Sequence, residues 1–109
     1  MANIYKNAKV DLTNNSETAV LTVPSDSRAV IKSIVVSEDS GNADSITLTI
    51  TDASSNVFSL FKTKAVSAND TVELLSQPLV LQESEILKAT AATANRLHIV
   101  VSVLEINRS

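Results

Sequence analysis

Hydrophobic and polar positions alternate along most of this chain, and that two-residue period predicts β-strands from end to end. The longest run is Leu97-His98-Ile99-Val100-Val101-Ser102-Val103-Leu104-Glu105-Ile106. Because side chains alternate across a strand, Leu97, Ile99, Val101 and Val103 share one face. Val100, Leu104 and Ile106 share the other with His98 and Ser102. A strand that is apolar on both faces needs two covers: a second sheet of its own domain and a neighbouring subunit. The face of Val100, Leu104 and Ile106 is therefore the candidate subunit interface.

The other segments follow the same period. Tyr5 to Leu12 sets Ala8, Val10 and Leu12 against Lys9 and Asp11, and Thr18 to Val23 runs until Pro24 removes a ladder donor. Arg28 to Ser37 is again apolar on both sides, with Ile31 and Val35 expected on one face and Val30, Ile34 and Val36 on the other. Glu38 to Asp44 is a polar loop that holds the only glycine, Gly41, where a positive φ angle is expected. Ser45 to Thr51 alternates cleanly, with Ile46, Leu48 and Ile50 inward and Thr47, Thr49 and Thr51 outward towards solvent. A turn at Asp52 to Asn56 leads into Val57 to Thr63, which completes a hairpin and places Phe58 and Phe61 on opposite faces.

Thr71 to Leu75 points Val72 and Leu74 inward, and Pro78 marks Leu79 to Leu81 as an edge strand. After a tight turn at Gln82 to Glu85, Ile86 and Lys88 oppose Leu87 and Ala89. The alanine-rich stretch Ala89 to Ala94 has helical propensity, but its threonines and asparagine favour a strand end and loop. Seven to nine short strands with regular turn signals predict an all-β fold, an antiparallel β-sandwich or jelly roll, spanning residues 1–109 as a single domain.

Composition narrows the function more than it names it. With 44% hydrophobic and 19% charged residues the chain is globular, and the shortage of charge leaves surface to be covered by partners. A net charge of −3 offers no clustered basic surface for nucleic acid. The apolar runs are strand-sized, well short of the roughly 20 residues a membrane helix needs, so no membrane partner is expected. No export signal opens the chain, which makes synthesis in a cytoplasm the default expectation. There is no cysteine, which excludes disulfides and thiolate metal sites.

Candidate chemistry is sparse. A nucleophile, histidine and acid device would have to run through His98, the only histidine, which sits among apolar neighbours as a packed or interfacial residue. Glu38, Asp39 and Asp44 with Asn42 could offer oxygen ligands to calcium, but their spacing matches no EF-hand, and a solvated loop explains them better. Glu83 and Glu85, with Glu73, could suggest a glycosidase pair, yet they fit turn decoration. A carbohydrate-binding module is the alternative function, weakened by the absence of Trp and the presence of one Tyr and two Phe. A single glycine excludes phosphate loops. No catalytic residue, metal ligand or cofactor is assigned.

Tyr5-Lys6-Asn7-Ala8, Thr22-Val23-Pro24, Ile31-Lys32-Ser33-Ile34, Val72-Glu73-Leu74-Leu75, Leu79-Val80-Leu81, Ile86-Leu87-Lys88 and Val103-Leu104-Glu105-Ile106, in this order and spacing, resemble small virion structural proteins of tailed bacteriophages of marine and cyanobacterial type. The resemblance spans nearly the whole chain. It implies a non-enzymatic building block made in the host cytoplasm and carried on the virion, as capsid decoration or as neck or tail adaptor. Its implied partners are further copies of itself, as a homo-oligomer, and other phage virion proteins of capsid, neck or tail.

Overall fold

The computed structural model describes residues 2–107 and consists of nine strands, with no helix among the described residues. They are β1 (Ala2–Leu12), β2 (Thr18–Thr22), β3 (Ser27–Glu38), β4 (Asp44–Thr51), β5 (Val57–Val66), β6 (Thr71–Glu73), β7 (Leu79–Leu81), β8 (Ile86–Ala91) and β9 (Leu97–Asn107). The alanine-rich stretch ends β8 and turns into a loop, because a strand between two sheet neighbours satisfies its backbone more fully than a one-turn helix would.

The strands form two antiparallel sheets. One is ordered β1-β9-β3-β6, with β7 also on β3, and the other β2-β8-β4-β5. Only β4 with β5 and β6 with β7 follow each other within one sheet; every other link crosses the sandwich. That double Greek-key order is the jelly roll. The long apolar strand β9 lies between β1 and β3 along its whole length.

The core fills the space between the sheets. Ile31, Ile34, Val36, Leu97, Ile99, Val101 and Val103 of the larger sheet meet Ile46, Leu48, Leu87, Ala89 and Ala91 of the smaller, all essentially inaccessible to water. At about 25 cal/mol per Å² of apolar surface removed from water, this layer is the main stabilising term, since no disulfide assists it.

Two bulges overturn face assignments drawn from strict alternation. The register between β3 and β9 shifts between Ile31 and Ser33, which inserts Lys32 as an extra residue. Ile31 is thereby buried on the same inner face as Ile34 and Val36, while Val30 and Val35 share the outer face. In the β4–β5 hairpin, two shifts around Leu48 give β5 two extra residues, Leu60 and a second at Lys62–Thr63 opposite Thr47. Phe58 then pairs with Ile50 and Phe61 with Leu48, so both aromatic rings lie on the inner side rather than on opposite faces. Phe61 packs against the core, whereas Phe58 is 56% exposed.

Candidate interaction surface

The outer face of the larger sheet is built from rows of directly opposed residues. Tyr5 of β1, Leu104 of β9, Val30 of β3 and Val80 of β7 form one apolar row across four strands. Asn3, Ile106 and Arg28 lie on one side of it. On the other side come a polar row of Asn7, Ser102 and Ser33, then Lys9, Val100, Val35 and Glu73, then Asp11, His98, Ser37 and Thr71. Tyr5 is 74%, Val80 55% and Val100 37% exposed; Leu104, Ile106, Val30 and Val35 are half-buried by their neighbours in the sheet.

The three residues singled out from the sequence, Val100, Leu104 and Ile106, therefore occupy successive apolar places on one face, opposite the core side of β9. Tyr5, Val30, Val35 and Val80 join them. Alternation could have found Tyr5, but Val30 and Val35 share a face only because of the bulge at Lys32, and Val80 reaches the row only through β7 pairing with β3.

His98 stands at one end of this face, with Nε2 3.2 Å from an Asp11 carboxylate oxygen and Nδ1 3.5 Å from one of Asp39. Each ring nitrogen therefore faces an exposed carboxylate, and no serine or threonine hydroxyl is hydrogen-bonded to the imidazole among the described residues. An open depression of about 270 Å³ beside it is lined by Lys9, Val10, Asp11, His98, Ile99 and Val100.

The carboxylates considered for chemistry prove structural. Glu38 is 2% exposed rather than solvated. Its oxygens accept from the Ser40 hydroxyl and from the backbone N–H groups of Ser40, Gly41 and Asn69, at 2.9, 3.0 and 3.1 Å for the three N–H groups. Burial alone pushes this carboxyl up, but the bonds from the Ser40 side chain and from the Asn69, Ser40 and Gly41 backbone outweigh it and hold the pKa at about 2, against an ordinary 4.5. The group ties the 38–44 loop to the β5–β6 connection, and Gly41 supplies the positive φ of 85° that lets its N–H reach the carboxylate.

Asp44 accepts from the Thr93 N–H at 3.1 Å. Glu73 fills the β3 bulge, accepting from Ile34 N–H at 2.8 Å and Leu75 N–H at 3.2 Å. Glu83 lies 3.4 Å from Arg28, and Glu85 accepts from Gln82 N–H at 2.8 Å. The acids considered as a cation cage or a hydrolytic pair are each directed to a different partner, a backbone donor or an ion pair, even where two share one turn.

The threonine ladder also differs from expectation. Thr47 and Thr49 are half-buried and Thr51 is 9% exposed, because Ile86, Lys88 and Thr90 of β8 stand directly beside them. The Oγ1 atoms of Thr49 and Thr51 are buried without a hydrogen-bond partner among the described residues.

No protein-family model matches the chain, and no curated protein matches it. Solved structures do. A chain from Bacillus endospore appendages, a family of disulfide-linked pili, superposes with a TM-score of 0.58 at 9% identity, covering 98% of this chain and 89% of that one. A chain of the capsid of Helicobacter pylori bacteriophage KHP30 gives 0.55 at 10% identity over 99% and 95%. A chain of the virus-like particle of extra small virus from the prawn Macrobrachium rosenbergii gives 0.51 at 12% identity over 100% and 82%. These likenesses establish the fold: this jelly roll is one that viral capsids also use.

Proposed function

We propose that this chain is a single-domain, non-enzymatic structural building block of a bacteriophage virion. It sits on the exterior of the particle, as capsid decoration or as neck or tail adaptor, and assembles as a symmetric homo-oligomer. The observation that carries the reading is the outer face of the larger sheet, where Val100, Leu104 and Ile106 are joined by Tyr5, Val30, Val35 and Val80 in apolar rows, with a polar row of Asn7, Ser102 and Ser33 between them and charges confined to the flanks. Surfaces of that kind mark contacts between proteins.

Three further features support it. The sequence resembles small phage virion proteins in the order of its strands. The fold is shared with chains that build a phage capsid, a virus-like particle and a pilus. The side chains best suited to chemistry are engaged in holding loops, as Glu38 and Glu73 show. With no cysteine in the sequence, contacts between copies rest on packing and hydrogen bonding rather than disulfides.

The alternative, a carbohydrate-binding module, would need aromatic rings grouped into a platform. The exposed rings Tyr5 and Phe58 lie on different sheets. Light scattering on the purified protein, together with localisation of its density in an image reconstruction of the intact particle, tests the proposal. A strictly monomeric species at micromolar concentration that binds surface glycans on an array would replace it with the module.

A further inference from the structure

The two sheets have four edges, and three are protected. β5 carries two register shifts, Lys62 and Lys64, and a left-handed Thr63 with φ 50°. β2 is five residues long with a register shift of its own. β6 and β7 are three residues each, separated by a stretch that contains Pro78. Shortness, bulges, lysine and proline are the devices by which proteins blunt an edge against further pairing. β1 carries Lys6 and Lys9 but is neither short, bulged nor interrupted by proline or glycine: eleven residues run in unbroken register with β9, and both lysines lie off the outward-bonding pair at its centre, Tyr5.

The backbone groups that β1 turns outward can be assigned. Ile34 and Glu38 of β3 bond towards β6, through Ile34 O with Leu74 N and Glu38 N with Asp70 O. The intervening Val35 and Ser37 therefore bond to Val100 and His98 of β9, which leaves Ile99, Val101 and Val103 to bond Val10, Ala8 and Lys6 of β1. Leu12 O accepting from Asn95 N, just before β9, follows the same parity. The N–H and C=O groups of Asn3, Tyr5 and Asn7 thus point to the open edge. Residues 3–7 are also the stretch of β1 exposed on both faces, and that stretch is centred on Tyr5.

We propose that this edge receives the β1 of a second copy of the chain, antiparallel, about a two-fold axis at Tyr5. The proposal rests on the assembly reading above and names one of its contacts. In this register Tyr5 faces its own symmetry mate, Asn3 faces Asn7, and Ile4 faces Lys6. The apolar row Val80–Val30–Leu104–Tyr5 continues without interruption into the same row of the second copy. The two larger sheets become one sheet, and the outer faces stay on one side. A register centred on Lys6 would set two ammonium groups directly opposite each other, a destabilising arrangement.

The chain lacks cysteine, so one introduced thiol reports the contact. Hydrogen-bonded opposed residues have Cα atoms about 5.5 Å apart, with Cβ atoms wider than a relaxed disulfide allows but within reach of a short bifunctional maleimide. With that cross-linker Tyr5→Cys should give a covalent species of about twice 11.6 kDa, and Lys62→Cys on the β5 edge should not. Asn7→Pro deletes an outward N–H and should shift the protein towards monomer with an unchanged circular dichroism spectrum. Ala8→Pro deletes an N–H bonded to β9 and should unfold it. If wild type is oligomeric but Tyr5→Cys cross-links no better than Lys62→Cys, the β1 contact is overturned and the assembly reading stands. If wild type is monomeric from micromolar to millimolar concentration, both fall.

Discussion

Replacing Val100 by aspartate should dissociate the assembly and leave the sandwich folded, and the structure sets the sizes of the two effects. Full burial of a valine side chain contributes about 1.5–3 kcal/mol. Val100 is 37% exposed in the isolated chain, so a partner has only ~0.5–1 kcal/mol of hydrophobic stabilisation left to gain from it. Val100→Ala should therefore weaken association by ~10-fold or less. A carboxylate at the same place must be desolvated when the partner arrives, which costs several kcal/mol. The charge term wins. A loss of ~3 kcal/mol or more weakens association by over ~100-fold.

In the monomer the new carboxylate stays at the surface, and the cost is the ~1–2 kcal/mol of burial that the valine already has there together with some strand propensity, which lowers Tm by about 4–8 °C for each kcal/mol. Val101→Asp is the control, because Val101 is 0% exposed and its charge would enter the core and unfold the chain. Light scattering against concentration reads the first effect, and circular dichroism melts read the second. If Val100→Asp unfolds like Val101→Asp, this face is ordinary core. If it folds with the mass of wild type, the assembly contact lies elsewhere.

Other outcomes follow from the carboxylates and the buried hydroxyls. Glu38 has a folded pKa of about 2 against an ordinary 4.5, so its contribution is complete above about pH 4.5 and is lost as pH falls towards 2. Glu38→Gln should flatten that acid limb of Tm against pH and speed amide exchange at Gly41 and Asn69; an unchanged limb would refute the role given to it. Glu73→Ala leaves the N–H groups of Ile34 and Leu75 without their acceptor and should destabilise by about 1–3 kcal/mol in urea melts, with Glu73→Gln losing less. Thr51→Val removes a buried hydroxyl without a partner and should raise stability by about 1 kcal/mol; a lower Tm would mean that the hydroxyl is satisfied.

The strands were legible from the sequence because a half-buried strand writes its environment into every second residue. The run ending at Ile106 shows this best, since its length and apolar character fit the central place it takes between β1 and β3. Alternation failed at Lys32 and Leu60, where one extra residue reverses the side chains that follow, in β5 until the second shift at Lys62–Thr63, and no local signal marks the place. It failed again at Glu38, which looked like a solvated loop acid and is a buried cap. Its partner Asn69 lies thirty-one positions away, a proximity that only folding creates.

By itself, then, the sequence determined the all-β character, the turns, the glycine at a positive φ and the two-sided strand at the centre, because each depends on residues within a few positions of one another. The tertiary structure decided which faces meet, since register and bulges are settled by pairing between distant strands. It joined Tyr5, Leu104, Val30 and Val80 from four strands into one row, and it left β1 as the single long unbroken edge among the described strands. Those are properties of neighbours across a sheet, and no window along the chain contains them.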